Sequence, residues 1–264
     1  MIVDVVYTWC GYPKTKYCKA NNDILYSIHS VLTNMPWIRN IFIIVDSTFP
    51  YKIDSKKVKL ISSKSIIPER FFPITWNSNV YECYIQNIRQ LSEYFVYFCD
   101  DMYVGKPCAK SDFFTKEGLL INRYCKGDPD YALAPISKIG YVSMWQYARK
   151  KYGLHYTRIQ HNALPCRKSY LAEYAKIYEA EIEQKSINKV RAKDDFNLLR
   201  FTTALTTMNG QGMLLVTDDS YDYFCESDEP EKIKSILTLK PQFFCINNSS
   251  GMADILSTYY KKTF

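Results

Sequence analysis

Between residues 2 and 99, short apolar runs rich in Val, Ile, Phe and Tyr alternate with segments of helical periodicity, and this alternation leaves few folds open. Ile2–Trp9 is a β-rich run interrupted by Asp4. Asn22 and Asp23 then open a helix in which Ile24, Ile28, Val31 and Leu32 share one face, and Met35-Pro36 stop it. Ile41–Val45 reads as a second buried strand and Val58–Ile61 as a shorter third. Val80, Tyr84, Ile88 and Leu91 recur at helical spacing before a strand over Tyr94–Cys99. Apolar strands alternating with helices predict an α/β fold, a mostly parallel sheet with helices on both faces. Ligands of such sheets bind beyond the carboxyl ends of the strands.

The second half is expected to be more helical. Leu171, Tyr174, Ala175, Tyr178 and Ile182 mark one amphipathic helix, and Phe196–Met208 suggests another. Gly210 and Gly212 break the pattern before Met213–Val216, and Phe243–Ile246 is expected to return a last strand to the sheet. With no internal repeat or clear linker, residues 1–264 are expected to form a single domain. Residues 1–122 would be its α/β half, and 123–264 a helical insertion with closing elements.

The 264 residues are 47% hydrophobic and 23% charged, as in ordinary globular domains, which excludes disorder, coiled coil and a small disulfide scaffold. Only nine glycines are present, and neither glycine-rich nucleotide-binding motif occurs. The net charge of +7 favours anionic partners, phosphates above all. It is spread along the chain without an RNP or zinc-finger pattern, so no nucleic-acid partner is expected. Nine cysteines, an odd number without C-x-x-C, point to reduced thiols. No secretory signal and no transmembrane segment are expected. The expected location is the cytoplasm, with peripheral attachment to a membrane left open.

The strongest local feature is the strand Tyr94–Cys99 ending in Asp100-Asp101. Two carboxylates at that end of a sheet suit Mg²⁺ or Mn²⁺, although adjacent aspartates are also common in plain turns. Ser78 and Glu82 are four apart after Asn77, on one face near a helix start that favours anions. The same stretch fits a capping box, Asn79-x-x-Glu82, and capping is the stronger reading on spacing alone. Asp4 within an apolar strand needs partners or a task. Trp9 lies where an aromatic ring can stack on a nucleobase, or simply fill the core. His161, among Arg158, Arg167 and Lys168, can take a proton from a hydroxyl, and the cations suit phosphate. Arg191 can pair with phosphate, and beside it Asp194 is as well read as a helix N-cap.

Taken in order, these segments resemble the Stealth family of sugar-phosphate transferases, which includes bacterial capsule hexose-1-phosphate transferases and the catalytic subunit of lysosomal-enzyme N-acetylglucosamine-1-phosphotransferase. The opening Asp4-Val-Val-Tyr-Thr8-Trp9 looks like the family's first block. Asp23-Ile-Leu-Tyr26-Ser27, Pro36-Trp37-Ile-Arg39, Thr75-Trp-Asn77-Ser78-Asn-Val-Tyr-Glu82 and Leu91–Asp101 look like its second. His161 with Pro165, then Arg191 and Asp194 or Asp195, resemble the third, and Cys245–Asn248 the start of the fourth. Where the family has Asn before the paired aspartates this chain has Cys99, and where it has Asp this chain has Asn248.

The resemblance implies a Rossmann-like, glycosyltransferase-A-like core with a nucleotide-sugar-binding amino-terminal half. It also implies transfer of a sugar-1-phosphate from a nucleotide-diphospho-sugar, such as UDP-N-acetylglucosamine, to a hydroxyl of a glycan or polysaccharide acceptor, with release of nucleoside monophosphate. On this resemblance Asp100 and Asp101 hold the metal, His161 is the general base, and Arg191 and Lys168 hold the diphosphate. Asn77, Ser78, Glu82 and Asp194 orient the donor, Thr8 and Trp9 line its nucleotide end, and Asp4 supports the floor. The competing readings are a metal-dependent glycosyltransferase that releases nucleoside diphosphate and a catalytically silent protein that binds sugar nucleotides or glycans.

Overall fold

A computed structural model of the chain describes residues 1–9, 23–46, 48–74, 77–126, 157–159, 161–190, 192, 195–218, 220–225, 235–236 and 238–246. Its main sheet has the order β3-β2-β1-β4-β8, the last being Leu164–Arg167. The first four are β1 (Val3–Trp9), β2 (Ile41–Val45), β3 (Val58–Ser62) and β4 (Tyr94–Phe98), all mutually parallel. Their alternation divides the core into two layers. Val6, Phe42, Ile44, Phe95 and Tyr97 pack on one face against residues 66–91 and the carboxyl-terminal helices. Val5, Tyr7, Ile43, Val96 and Phe98 pack on the other against helix α1 (Asp23–Asn34). The fold is therefore the expected Rossmann-like, mostly parallel sheet covered on both faces.

Of the described strands in the second half, one joins this sheet and the others form two smaller sheets. After β5 (Met102–Val104), β6 (Leu120–Lys126) and β7 (Thr157–Ile159), strand β8 (Leu164–Arg167) runs antiparallel along β4, pairing Leu164 with Tyr97 and Arg167 with Tyr94. Strand β9 (Gly212–Val216) pairs parallel with β6, giving a second sheet of order β7-β6-β9. Phe243–Ile246 does form a strand, β11, but it lies between β10 (Asp222–Cys225) and β5 in a third sheet, not in the main one.

Two helical expectations are corrected. The spacing of Val80, Tyr84, Ile88 and Leu91 is not one helix. It is a short helix α2 (Ser78–Glu82) followed by a 3₁₀ turn (Ile85–Asn87), with all four apolar residues still buried. Leu171–Ile182 is likewise two helices, α3 (Lys168–Ile177) and α4 (Glu179–Ser186), broken at Tyr178. Apolar spacing records which residues face the core and is indifferent to a tightening of the backbone between them. Helix α5 (Leu198–Met208) matches its expectation closely.

One device sets the position of the paired aspartates. Strand β5 is an edge strand, and a free edge leaves backbone groups to satisfy. Helix α1 supplies the partners with a buried polar stripe. Ser27 Oγ donates to the Met102 carbonyl, the Val104 N–H donates to Ser30 Oγ at 3.0 Å, and Asn34 Nδ2 donates to the Val104 carbonyl at 2.7 Å. The β4–β5 connection, residues 99–101, is thus held between a central strand and a clamped one.

Candidate active site

The connection itself is tight. The Met102 N–H donates to the Cys99 carbonyl at 3.3 Å, the Cys99 N–H to Met102 Sδ at 3.3 Å, and the Ile246 N–H to the Asp101 carbonyl at 3.1 Å. Asp100 and Asp101 occupy the apex, half-buried at the carboxyl end of β4, where parallel sheets place ligand groups.

Strand β8 brings His161 to the same place. Because β8 is antiparallel and its first residue pairs with Tyr97, the segment entering it passes beside the carboxyl end of β4. Ligand atoms of Cys99, Asp101 and His161 consequently lie within 4.8 Å of one another, although 60 positions separate the histidine from the aspartate. The antiparallel course also carries the chain away from the site. Lys168, expected on the diphosphate, sits at the opposite end of β4, with its N–H on the Glu93 carbonyl and Nζ donating to the Ile88 carbonyl at 2.8 Å. Burial lowers its pKa from the ordinary value, opposed by Glu93. The structure does not bring Lys168 to the site.

Beneath the site runs a buried polar network. Tyr97 Oη donates to Glu82 Oε1 at 2.8 Å, so the Thr8 hydroxyl, 2.8 Å away, is its donor. Glu82 Oε2 accepts from Asn197 Nδ2 at 2.8 Å, and the same amide donates to Asn79 Oδ1 at 2.8 Å. Asn197 is the N-cap of α5, its Oδ1 accepting from the Arg200 N–H at 3.0 Å. Asp195 gathers Asn77 Nδ2 at 2.8 Å, Asn188 Nδ2 at 2.7 Å and the Ala192 N–H at 2.8 Å. From the first turn of α5, Arg200 Nη2 reaches His161 Nδ1 at 2.5 Å.

These contacts sort the expected donor-binding residues. Asn77 is wholly buried and caps α2, accepting from the Asn79 N–H. The cap is Asn77, not Asn79, and the helix is one turn long. Glu82 and Thr8 are also interior, in the network that supports the site. Ser78 is half-buried on the first turn of α2. Trp9 is buried edge-on to Phe49, ring centroids 5.1 Å apart, at the carboxyl end of β1. Asp4 lies at the other end of β1, fully buried. It accepts from Arg39 Nε at 2.9 Å, the Asn40 N–H at 3.1 Å and the Ser92 N–H at 2.7 Å, so it ties strands together and does not face a ligand. Arg191 and Asp194 lie outside the described residues.

Sequence reasoning passed over Arg200, Asn197 and Tyr97. A legible signal existed for Arg200: an arginine inside the apolar run Leu198–Leu205 is a buried cation that needs a partner. Which partner it takes depends on the tertiary fold.

The electrostatics fit a hard divalent cation. Burial first, then Asp101 and Glu82, push the Cys99 thiol well above its ordinary range. Burial, Asp101 and Cys99 do the same to Cys245. Tyr103 is raised by burial and then by Asp23, Asp101 and Asp100. Three neutral acids thus sense the carboxylate field at the β4–β5 turn. The oxygen ligands there suit Mg²⁺ or Mn²⁺, while the Cys99 thiol is held in its non-ligating form. His161 Nδ1 lies against the Arg200 guanidinium, and its ring is grouped with Cys99 and Asp101.

Residues 17–121 match the family model described as Stealth protein CR2, conserved region 2. The chain is 29% identical over 306 residues to the capsular polysaccharide phosphotransferase fcs1 of Haemophilus influenzae, an alignment covering 99% of the chain and 81% of that protein. It is 30% identical over 250 residues to a capsular polysaccharide phosphotransferase of Neisseria meningitidis serogroup B, covering 88% of the chain and 66% of that protein. Among solved structures, the galactosyltransferase LgtC aligns over 99% of this chain and 96% of its own, at 9% identity and a TM-score of 0.49. With the second conserved block matched by the family model and the site-bearing turn inside it, the chain belongs to the Stealth family of sugar-phosphate transferases.

Proposed function

We propose that the protein transfers a sugar-1-phosphate from a nucleotide-diphospho-sugar, of the UDP-N-acetylglucosamine type, to a hydroxyl of a glycan acceptor in capsular polysaccharide synthesis. The acceptor oxygen attacks the sugar-proximal phosphorus. A new P–O bond forms, the bond from that phosphorus to the bridging oxygen breaks, and its electron pair leaves with nucleoside monophosphate. Such transfer depends on positioning and charge stabilisation.

The observation that carries this reading is the convergence of His161 with Asp101 at the carboxyl end of β4. Asp100 and Asp101 would hold Mg²⁺ or Mn²⁺, which when bound neutralises charge on the diphosphate. His161 takes the acceptor's proton as the hydroxyl attacks. Trp9 closes the end of β1 towards the nucleotide with Thr8 supporting it from the interior network, and Ser78 faces the donor. Arg191 and Asp194 remain proposed diphosphate and donor contacts. Among the described residues no helix is long and apolar enough to cross a membrane, and the acceptor is a glycan presented to this face.

The test is incubation with a panel of nucleotide-sugars, an acceptor oligosaccharide and Mg²⁺ or Mn²⁺, with released nucleotides resolved by chromatography. Metal-dependent monophosphate release, lost in Asp101→Asn, supports the proposal. Release of nucleoside diphosphate overturns it in favour of glycosyl transfer.

A further inference from the structure

The strands of the main sheet set an order that the donor has to follow. Strands β2, β1, β4 and β8 stand side by side, with Asp100 and Asp101 beyond β4 and His161 at the entry to β8. A diphosphate held at the β4 turn, with its sugar-phosphate end towards His161, sends its nucleoside the other way, past the end of β1 to that of β2. Asp46 is the residue that follows β2, directly after Val45, which pairs with Trp9. It stands two strands from β4, roughly 10 Å at the ordinary strand spacing.

Asp46 lacks the partners that other interior carboxylates have. Its Oδ1 is buried with no hydrogen-bond partner among the described residues. Asp4, at the opposite end of β1, accepts from Arg39, Asn40 and Ser92. Glu82 accepts from Tyr97 and Asn197. Leaving a buried, charged acceptor unsatisfied is costly, and such a group in a folded protein calls for an explanation. As a whole residue Asp46 is only half-buried, so a ligand can reach the carboxylate. A half-turn of that group exchanges its two oxygens.

The chemistry selects the part of the donor. A carboxylate only accepts hydrogen bonds, whereas the diphosphate offers no donor and carries charge of the same sign. The nucleoside supplies what is missing, in its ribose hydroxyls and the N–H groups of its base. Across the register from Asp46 and just after it in the chain, Trp9, Phe49 and Tyr51 form an aromatic cluster. The Trp9 ring centroid lies 5.1 Å from that of Phe49 and 6.3 Å from that of Tyr51. Such a cluster gives a base an apolar surface to pack on.

We infer that Asp46 binds the nucleoside of the donor, accepting a hydrogen bond from a ribose hydroxyl or a base N–H, and does not touch the diphosphate. The inference rests on the proposed nucleotide-sugar donor and gives it a direction along the sheet. The nucleoside lies over β2 and β1, the diphosphate at β4 and the acceptor towards β8.

The test is isothermal titration calorimetry of the whole chain with Mg²⁺. The probes are UDP, CDP, GDP and ADP, with inorganic pyrophosphate as the phosphate-only control. The wild-type protein should bind one nucleotide more tightly than pyrophosphate. Asp46→Ala should weaken that nucleotide about 10–100-fold, as for one charge-assisted hydrogen bond, and leave pyrophosphate within about twofold. Asp46→Asn keeps an acceptor oxygen in the same shape and should recover part of the loss. Removing a ribose hydroxyl from the nucleotide, or methylating its base N–H, then identifies the partner. The deletion that matters weakens binding to the wild type and changes nothing further in Asp46→Ala. Unchanged nucleotide affinity in Asp46→Ala overturns the inference. So does an equal loss of pyrophosphate, the absence of any such coupled deletion, or a wild-type protein that binds no nucleotide better than pyrophosphate. Release of nucleoside diphosphate in the transfer assay would overturn the reaction instead, and would leave the Asp46 result as measured.

Discussion

Asn197 Nδ2 lies 2.8 Å from Glu82 Oε2, across 115 positions of sequence, and joins the cap of one helix to the last residue of another. Both donors of the amide and its oxygen are engaged. Its two protons go to Asn79 and Glu82, and its oxygen accepts from Arg200. The link makes the position of Arg200, and through it His161, depend on the segment that precedes β4.

Asn197→Ala should therefore be costly. It removes a cap and leaves two buried acceptors short of a donor, together a loss of about 2–4 kcal/mol. Urea unfolding should show a lower midpoint at an unchanged slope. The variant should also lose turnover beyond its loss of folded protein, because α5 no longer aims Arg200.

Asp101→Asn and His161→Gln should each lower kcat by about 10²–10⁴-fold while leaving the unfolding midpoint close to that of the parent chain. Both side chains are half-buried at the site and lie outside the two apolar layers. Product formation under saturating donor, paired with urea melts, separates a chemical from a structural role.

Lys168→Met should leave the donor KM unchanged. Its ammonium bonds to the Ile88 carbonyl at the far end of β4, so the expected cost is about 1 kcal/mol of stability and no loss of donor binding. A rise in KM would return Lys168 to the diphosphate.

Stability should fall as the solution is made alkaline. The thiols of Cys83 and Cys166 are raised above the ordinary 9.0 chiefly by burial, as are those of Cys99 and Cys245, and Cys108 is pushed up to about 12. A thiol with a raised native pKa stays protonated in the fold and ionises on unfolding. The stability it contributes is complete below pH 9 and is lost as the pH rises towards the native value. Thermal unfolding between pH 8 and 11 should show this decline. At pH 8 these five cysteines should resist iodoacetamide in the native state and react on denaturation, as read by mass spectrometry.

The amino-acid sequence by itself determined the four parallel strands, the two-layered core they form and the turn that carries Asp100-Asp101. Each of these is local: Tyr94–Phe98 is apolar and β-rich, and Asp100-Asp101 must leave the sheet wherever that strand ends. The family was legible for the same reason, since its second block is a near-continuous stretch. What needed the tertiary structure was direction and partner choice. Nothing in Leu164–Arg167 says that it runs antiparallel beside β4, yet that orientation brings His161 to Asp101 and sends Lys168 away. Asn77, Glu82 and Thr8 looked like ligand contacts because polar residues beside a site resemble polar residues in it. Burial distinguished them, with each turned into a hydrogen-bond network whose other members, Asp195, Asn197 and Tyr97, are distant in sequence. A hydrogen bond between remote side chains leaves no periodicity and no spacing to read, so the pairing of Arg200 with His161 appears only when the chain is folded.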